Sequence, residues 1–75
     1  SQLIGKSLKA LRLKANLTQD EAAYKMGYCT RNIRRYETNG TTNLDVINRY
    51  AETYEVRAID ILLGCFFMRI KTLYL

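Results

Sequence analysis

The sequence predicts an all-α chain of short helices, and three observations carry the prediction. Apolar residues recur at spacings of three and four along most of residues 3–63, the repeat of a helix with one buried side. Thr18 is followed three residues later by Glu21, a capping box in which each side chain satisfies an orphan backbone donor at a helix start. Asn16, Gly27 and Gly64 stand where three of these stretches end, and both residue types accept the left-handed conformation that closes a helix.

In chain order, a first helix is expected over about Leu3 to Ala15. Ile4, Leu8 and Leu11 form its buried stripe, Lys6, Lys9 and Lys14 lie elsewhere on it, and Asn16 caps it. A second helix begins at about Gln19, is lined on one side by Ala22, Ala23 and Met26, and stops at Gly27. A third runs from about Thr30 to Glu37. Cys29 holds its cap position, but sulfur is a poor acceptor; Thr30 is the alternative cap, and that choice would move the helix by one residue and re-aim its side chains by about 100°. Thr38-Asn39-Gly40-Thr41-Thr42-Asn43 is a loop by composition. Thr42 or Asn43 then caps a fourth helix whose stripe is Leu44, Ile47, Ala51 and Tyr54. A fifth, about Ala58 to Leu63, presents Ile59, Leu62 and Leu63 and stops at Gly64.

Residues 1–64 thus read as one domain, and residues 65–75 as a separate apolar tail. Phe66, Met68, Ile70, Thr72 and Tyr74 alternate with Phe67, Arg69 and Lys71, the period of a strand. A lone strand in a helical protein has its natural partner in a second copy across a two-fold axis, which makes the tail a candidate dimerisation element. Phe66, Ile70 and Leu73 also fit a sixth helix, so both readings stand.

The third helix carries the chemistry. With Thr30 at zero and about 100° per residue, Ile33 falls near 300° and Tyr36 near 240°, so the inward direction is about 270°. Arg34 at about 40°, Arg31 at about 100° and Arg35 at about 140° share the opposite arc. A guanidinium is a permanently charged planar fork that matches phosphate oxygens or the O6/N7 edge of guanine. A helix with that face suits the major groove.

Leu17-Thr18-Gln19, Glu21, Ala23, Gly27, Ile33 and Glu37, with Asn39-Gly40 just after, resemble the helix-turn-helix of the lambda-repressor and Cro-like family of prokaryotic and phage regulators, the xenobiotic-response-element class. The similarity extends from Ile4 to about Gly64. It implies a five-helix all-α domain in which the helix carrying Arg31 reads base edges and Gln19 touches DNA at the start of the preceding helix. It also implies that Arg12 pairs with Glu37, tying the first helix to the end of the third, where the residues alone would allow a solvated arginine. Ala23 keeps the small residue that lets two helices cross closely. The chain departs from the family at Ala22, where leucine is usual and a tyrosine from elsewhere could fill the core, and after Gly40, where a Lys or Arg is common.

Composition agrees with one small domain. A chain of 75 residues buries only about 60% of the surface its unfolded form exposes, so a partner or a dimer contact would help it. Apolar content of 48% with 25% charged residues is globular rather than disordered. Neither a bilayer-spanning run nor a basic-then-apolar signal peptide occurs, and the expected location is the cytoplasm, on the nucleoid when bound. Cys29 and Cys65 are too few for a disulfide scaffold and read as reduced thiols. A thiol at a helix start can gain reactivity, but the plainer role for Cys29 is a small filler. The net charge of +5 is unevenly spread: residues 1–36 hold eight Lys/Arg against Asp20 and Glu21, whereas residues 37–64 hold two against five acids. Positive charge therefore gathers around the arginine helix, as a phosphate-binding surface requires.

These features lead to a sequence-specific double-stranded DNA binder, a repressor-type regulator acting as a homodimer. The expected base contacts are Arg31 and Arg35, with Arg34 on a base or a neighbouring phosphate and Thr30 on a base methyl or phosphate; Gln19, Asn32, Thr41 and Thr42 contact the backbone. Arg12, Glu37, Ala23 and Gly27 are structural. The alternative is a protein-interaction module of the same fold, such as an antitoxin or adaptor. With no histidine, no paired acids at pocket spacing and no glycine-rich phosphate loop, no catalytic role, metal, cofactor or small-molecule substrate can be assigned. The sequence also offers no aromatic stacking platform for RNA, its tyrosines reading as core or rim.

Overall fold

The computed structural model describes residues 2–64, and there the chain forms α1 (Gln2–Lys14), α2 (Gln19–Met26), α3 (Thr30–Asn39), α4 (Leu44–Tyr54) and α5 (Ala58–Leu63), with no strand among the described residues. The expectation of a strand or sixth helix for 65–75 lies outside those residues, as does Cys65. The helix limits follow from local chemistry. The Glu21 amide donates to Thr18 Oγ1 at 3.1 Å and the Thr18 amide donates to the Glu21 carboxylate at 2.8 Å, the complete capping box. Asn16, Gly27 and Glu55 adopt left-handed φ values of 61°, 77° and 56°. The amides that follow them, Leu17, Tyr28 and Val56, reach back to the carbonyls of Arg12, Ala23 and Ala51 at 3.2, 3.0 and 3.0 Å, so three helices end on one motif.

Several sequence expectations need correction. α3 starts at Thr30, with Cys29 in extended geometry as a cap that makes no side-chain bond; Thr30 does not cap, so the one-residue shift does not occur. Its end lies beyond Glu37, because helical bonding continues until Gly40 turns to φ 75° and donates to the Tyr36 carbonyl at 2.8 Å. In α4 the cap is Asn43, accepting from the Asp45 amide at 2.9 Å, and the buried side is Val46, Ile47, Tyr50 and Ala51. Leu44 sits about 90° around the helix from the centre of that group and is exposed. In α5 the buried residues are Asp60 and Ile61, which places Ile59 and Leu63 on the opposite, exposed side. Asp60 is polar yet buried because it accepts from the Arg57 amide, Nε and Nη2 at 3.2–3.3 Å, closing the start of α5.

The core joins Leu8 and Leu11 of α1, Ala23 and Met26 of α2, Ile33 of α3, the α4 group and Ile61. Burying each large aliphatic side chain contributes about 1.5–3 kcal/mol. Tyr50 is the largest fully buried side chain; it stacks on Tyr54 at 5.9 Å and meets Tyr36 edge-on at 6.5 Å, and Tyr36 meets Tyr28 at 5.8 Å. Burial pushes the Tyr50 hydroxyl's pKa up, with the Glu37 charge adding to it, so Tyr50 stays neutral. Tyr24 breaks the pattern by standing in solvent at 92% exposure.

α1 crosses the end of α3 at Gly5. A β-carbon there would lie 2.6 Å from the Glu37 carbonyl oxygen and 3.1 Å from both the Gly40 nitrogen and the Tyr36 carbonyl, all backbone atoms that cannot swing aside. The missing side chain is what lets α1 hold the end of α3.

Candidate nucleic-acid interface

α3 is two-sided. Ile33 is fully buried, Glu37 buried and Tyr36 half-buried, while Arg31, Arg34 and Arg35 are exposed and none makes an ion pair among the described residues. Extending the rotation to residue 38 puts Thr38 at about 80°, within the arginine arc, so the outward face is Arg31, Arg34, Arg35 and Thr38. No acid stands in the first turn of α3, and its one acid, Glu37, faces inward. Like charges three and four residues apart destabilise an isolated helix by about 0.2–0.5 kcal/mol per pair. Arg31 stands in that relation to both Arg34 and Arg35, a strain that a polyanion laid across the face would relieve.

The inward face is fixed by charge as well as by packing. Arg12 donates from Nε to Glu37 Oε2 at 2.6 Å and from Nη2 to Oε1 at 3.0 Å, and Nη1 donates to the Leu17 carbonyl at 2.9 Å. The bond to Glu37 raises the Arg12 pKa above its ordinary value, against the opposing effect of burial. One guanidinium thereby joins α1, the approach to α2 and the end of α3. Gln19 adds a fourth link, its Nε2 donating to Glu37 Oε1 at 3.1 Å. That bond uses one amide proton and leaves the other, with the amide oxygen, available for a ligand.

The turn between α2 and α3 is held from both sides. Ala22 and Ala23 are buried, and Gly27 takes the left-handed geometry that turns the chain. Arg49 of α4 donates to the Met26 carbonyl at 2.8 Å and lies 5.4 Å from the Tyr28 ring centre, closing the end of α2 and covering the turn. Thr30 Oγ1 donates to Asp20 Oδ1 at 2.7 Å, locking the start of α3 to that of α2. Its methyl group and hydroxyl lone pairs remain for other contacts. Cys29 is a free, exposed thiol.

Of the other expected contact residues, Asn32 is half-buried on α3, Thr42 is exposed, and the half-buried Thr41 accepts from the Asn43 amide at 3.1 Å. Three residues beside this face are not among the expected contacts. Thr38 was legible from helical rotation but masked by its turn-like neighbours Asn39 and Gly40. Lys6 and Lys9 belong to the positive excess of residues 1–36, but nothing in the sequence sets them apart from the other lysines there; together with Gln19, Glu37 and Thr38 they line a cleft of about 300 Å³ beside the end of α3. Among the described residues no group of three or more His, Cys, Asp or Glu could hold a metal ion, and no helix is long and apolar enough to cross a membrane.

A sequence model of a helix-turn-helix family matches residues 8–61, spanning the two helices, their turn and the packing helices on either side. No curated protein and no solved structure matches the chain.

Proposed function

The chain belongs to the lambda-repressor/Cro-like helix-turn-helix family of DNA-binding regulators, and from this we propose that it is a sequence-specific repressor of transcription that binds double-stranded DNA as a homodimer with α3 in the major groove. The observation that carries the reading is the exposed arginine arc of α3, without an ion pair among the described residues. Arg31 and Arg35 read base edges, and Arg34 meets a base or the adjacent phosphate. Thr30 offers its methyl group to a base or its hydroxyl to a phosphate. Gln19, Asn32, Thr41 and Thr42 hold the sugar-phosphate backbone, which sets register without reading sequence. Two copies related by a two-fold axis would place their α3 helices in successive major grooves about 34 Å apart. Ile59 and Leu63, 47% and 64% exposed on α5, leave apolar area that a second copy can cover.

Replacing Arg31 with alanine tests the assignment. A base-reading arginine lost should reduce discrimination at one base pair by about 1–3 kcal/mol, whereas a lost phosphate contact weakens all sequences alike. Competition binding against a set of single-base operator variants measures the difference. An Arg31→Ala protein with wild-type sequence preference would remove Arg31 from the base-reading set.

A further inference from the structure

We propose that the cleft lined by Lys6, Lys9, Gln19, Glu37 and Thr38 seats a backbone phosphate of duplex DNA at the edge of the arginine face, with Lys6 and Lys9 as its cationic walls. The inference rests on the DNA-binding reading and adds α1 to the contact surface. Lys6 and Lys9 stand three residues apart on α1, on one side of the helix, and neither has an ion pair among the described residues. Glu37 lies at the floor, but its side chain is only 4% exposed and its two oxygens accept from Arg12 Nε, Arg12 Nη2 and Gln19 Nε2. Its charge is matched by Arg12, so the cleft's uncompensated charge is that of the two lysines.

Geometry and chemistry select the ligand class. Gln19, the first residue of α2, also lines the cleft and has a second amide proton beyond the one it gives to Glu37. The cleft, of about 300 Å³ and open to solvent, has room for a phosphate group. A cation is disfavoured by the lysines, and the one carboxylate is already paired. Thr38 belongs both to the cleft and to the outward arc of α3, so an anion seated here lies beside the arginines, as a phosphate on the wall of the same groove does. Ammonium groups act as point charges without a fixed fork, which suits them to holding the backbone in register.

The test is the salt dependence of DNA affinity for the wild-type chain, the Lys6→Ala/Lys9→Ala variant and, as a control lysine outside the cleft, Lys25→Ala. Loss of a phosphate contact lowers the slope of log affinity against log salt by about 1. The double variant is expected to show that reduction with the ranking of DNA sequences unchanged, and Lys25→Ala to show none. A double variant with the wild-type slope, or one matched by Lys25→Ala, overturns the proposal. Duplexes carrying one neutral methylphosphonate at a time give the same readout without altering protein folding: at one position the substitution should weaken wild-type binding but leave the double variant's binding unchanged, and no such position overturns the proposal. Inorganic phosphate that shifts the Lys6 and Lys9 resonances while the double variant keeps its wild-type slope would assign the cleft to a free anion instead. A wild-type chain whose DNA affinity ignores salt would overturn the DNA-binding reading itself, a failure distinguishable from that of the cleft.

Discussion

Replacing Glu37 with alanine is expected to destabilise the domain by about 3–5 kcal/mol, because it leaves the Arg12 side chain, 9% exposed, buried without its counter-charge. Small domains hold only about 5–15 kcal/mol in total, so the loss should bring the variant close to its unfolding midpoint. Gln19 loses its acceptor in the same step, and α1, α2 and α3 lose the group they share. Urea unfolding measures the effect as a lower midpoint at unchanged slope. Replacing both partners with apolar residues, Arg12→Met with Glu37→Leu, should recover most of the loss, since the penalty comes from an unpaired buried charge rather than from the absence of a strong bond. A Glu37→Ala protein within 1 kcal/mol of wild type would mean that water reaches Arg12 and that the pair does not anchor α3.

Ile33→Ala is expected to lower stability by about 2–5 kcal/mol, the range for truncating a fully buried aliphatic side chain and leaving a cavity. Arg34→Ala, one residue along the same helix, should change stability by no more than about 0.5 kcal/mol, because Arg34 is exposed and has no ion pair among the described residues. The contrast between neighbours separates the two faces of α3: one belongs to the fold and the other is free for a ligand. Comparable losses at both positions would show that the arginine arc is part of the packed structure.

Much of this arrangement is legible in the sequence because it rests on local rules. Thr18 and Glu21 announce the start of α2 by spacing alone, and Asn16, Gly27 and Gly64 mark ends through the backbone geometry that they tolerate. The arginine arc follows from helical rotation once Ile33 is taken as inward. What the sequence hides is tertiary. Gly5 looks like an unremarkable helix residue until α1 is laid against the end of α3, and Arg49 looks like a surface charge until it closes α2. The stripes of α4 and α5 were misread because apolar spacing allows more than one face: Val46 and Tyr50 outweigh Leu44, and Asp60 goes inside because its own helix start needs an acceptor. Glu55 closes α4 in a left-handed geometry that its residue type does not advertise.

Selection of bound duplexes from a random pool tests the central claim most directly. If Arg31 and Arg35 face base edges, the wild-type chain enriches one motif rich in guanine, as two inverted half-sites about 34 Å apart. A pool recovered with no sequence enrichment, although binding weakens with salt, would contradict the account and reduce α3 to a holder of phosphates.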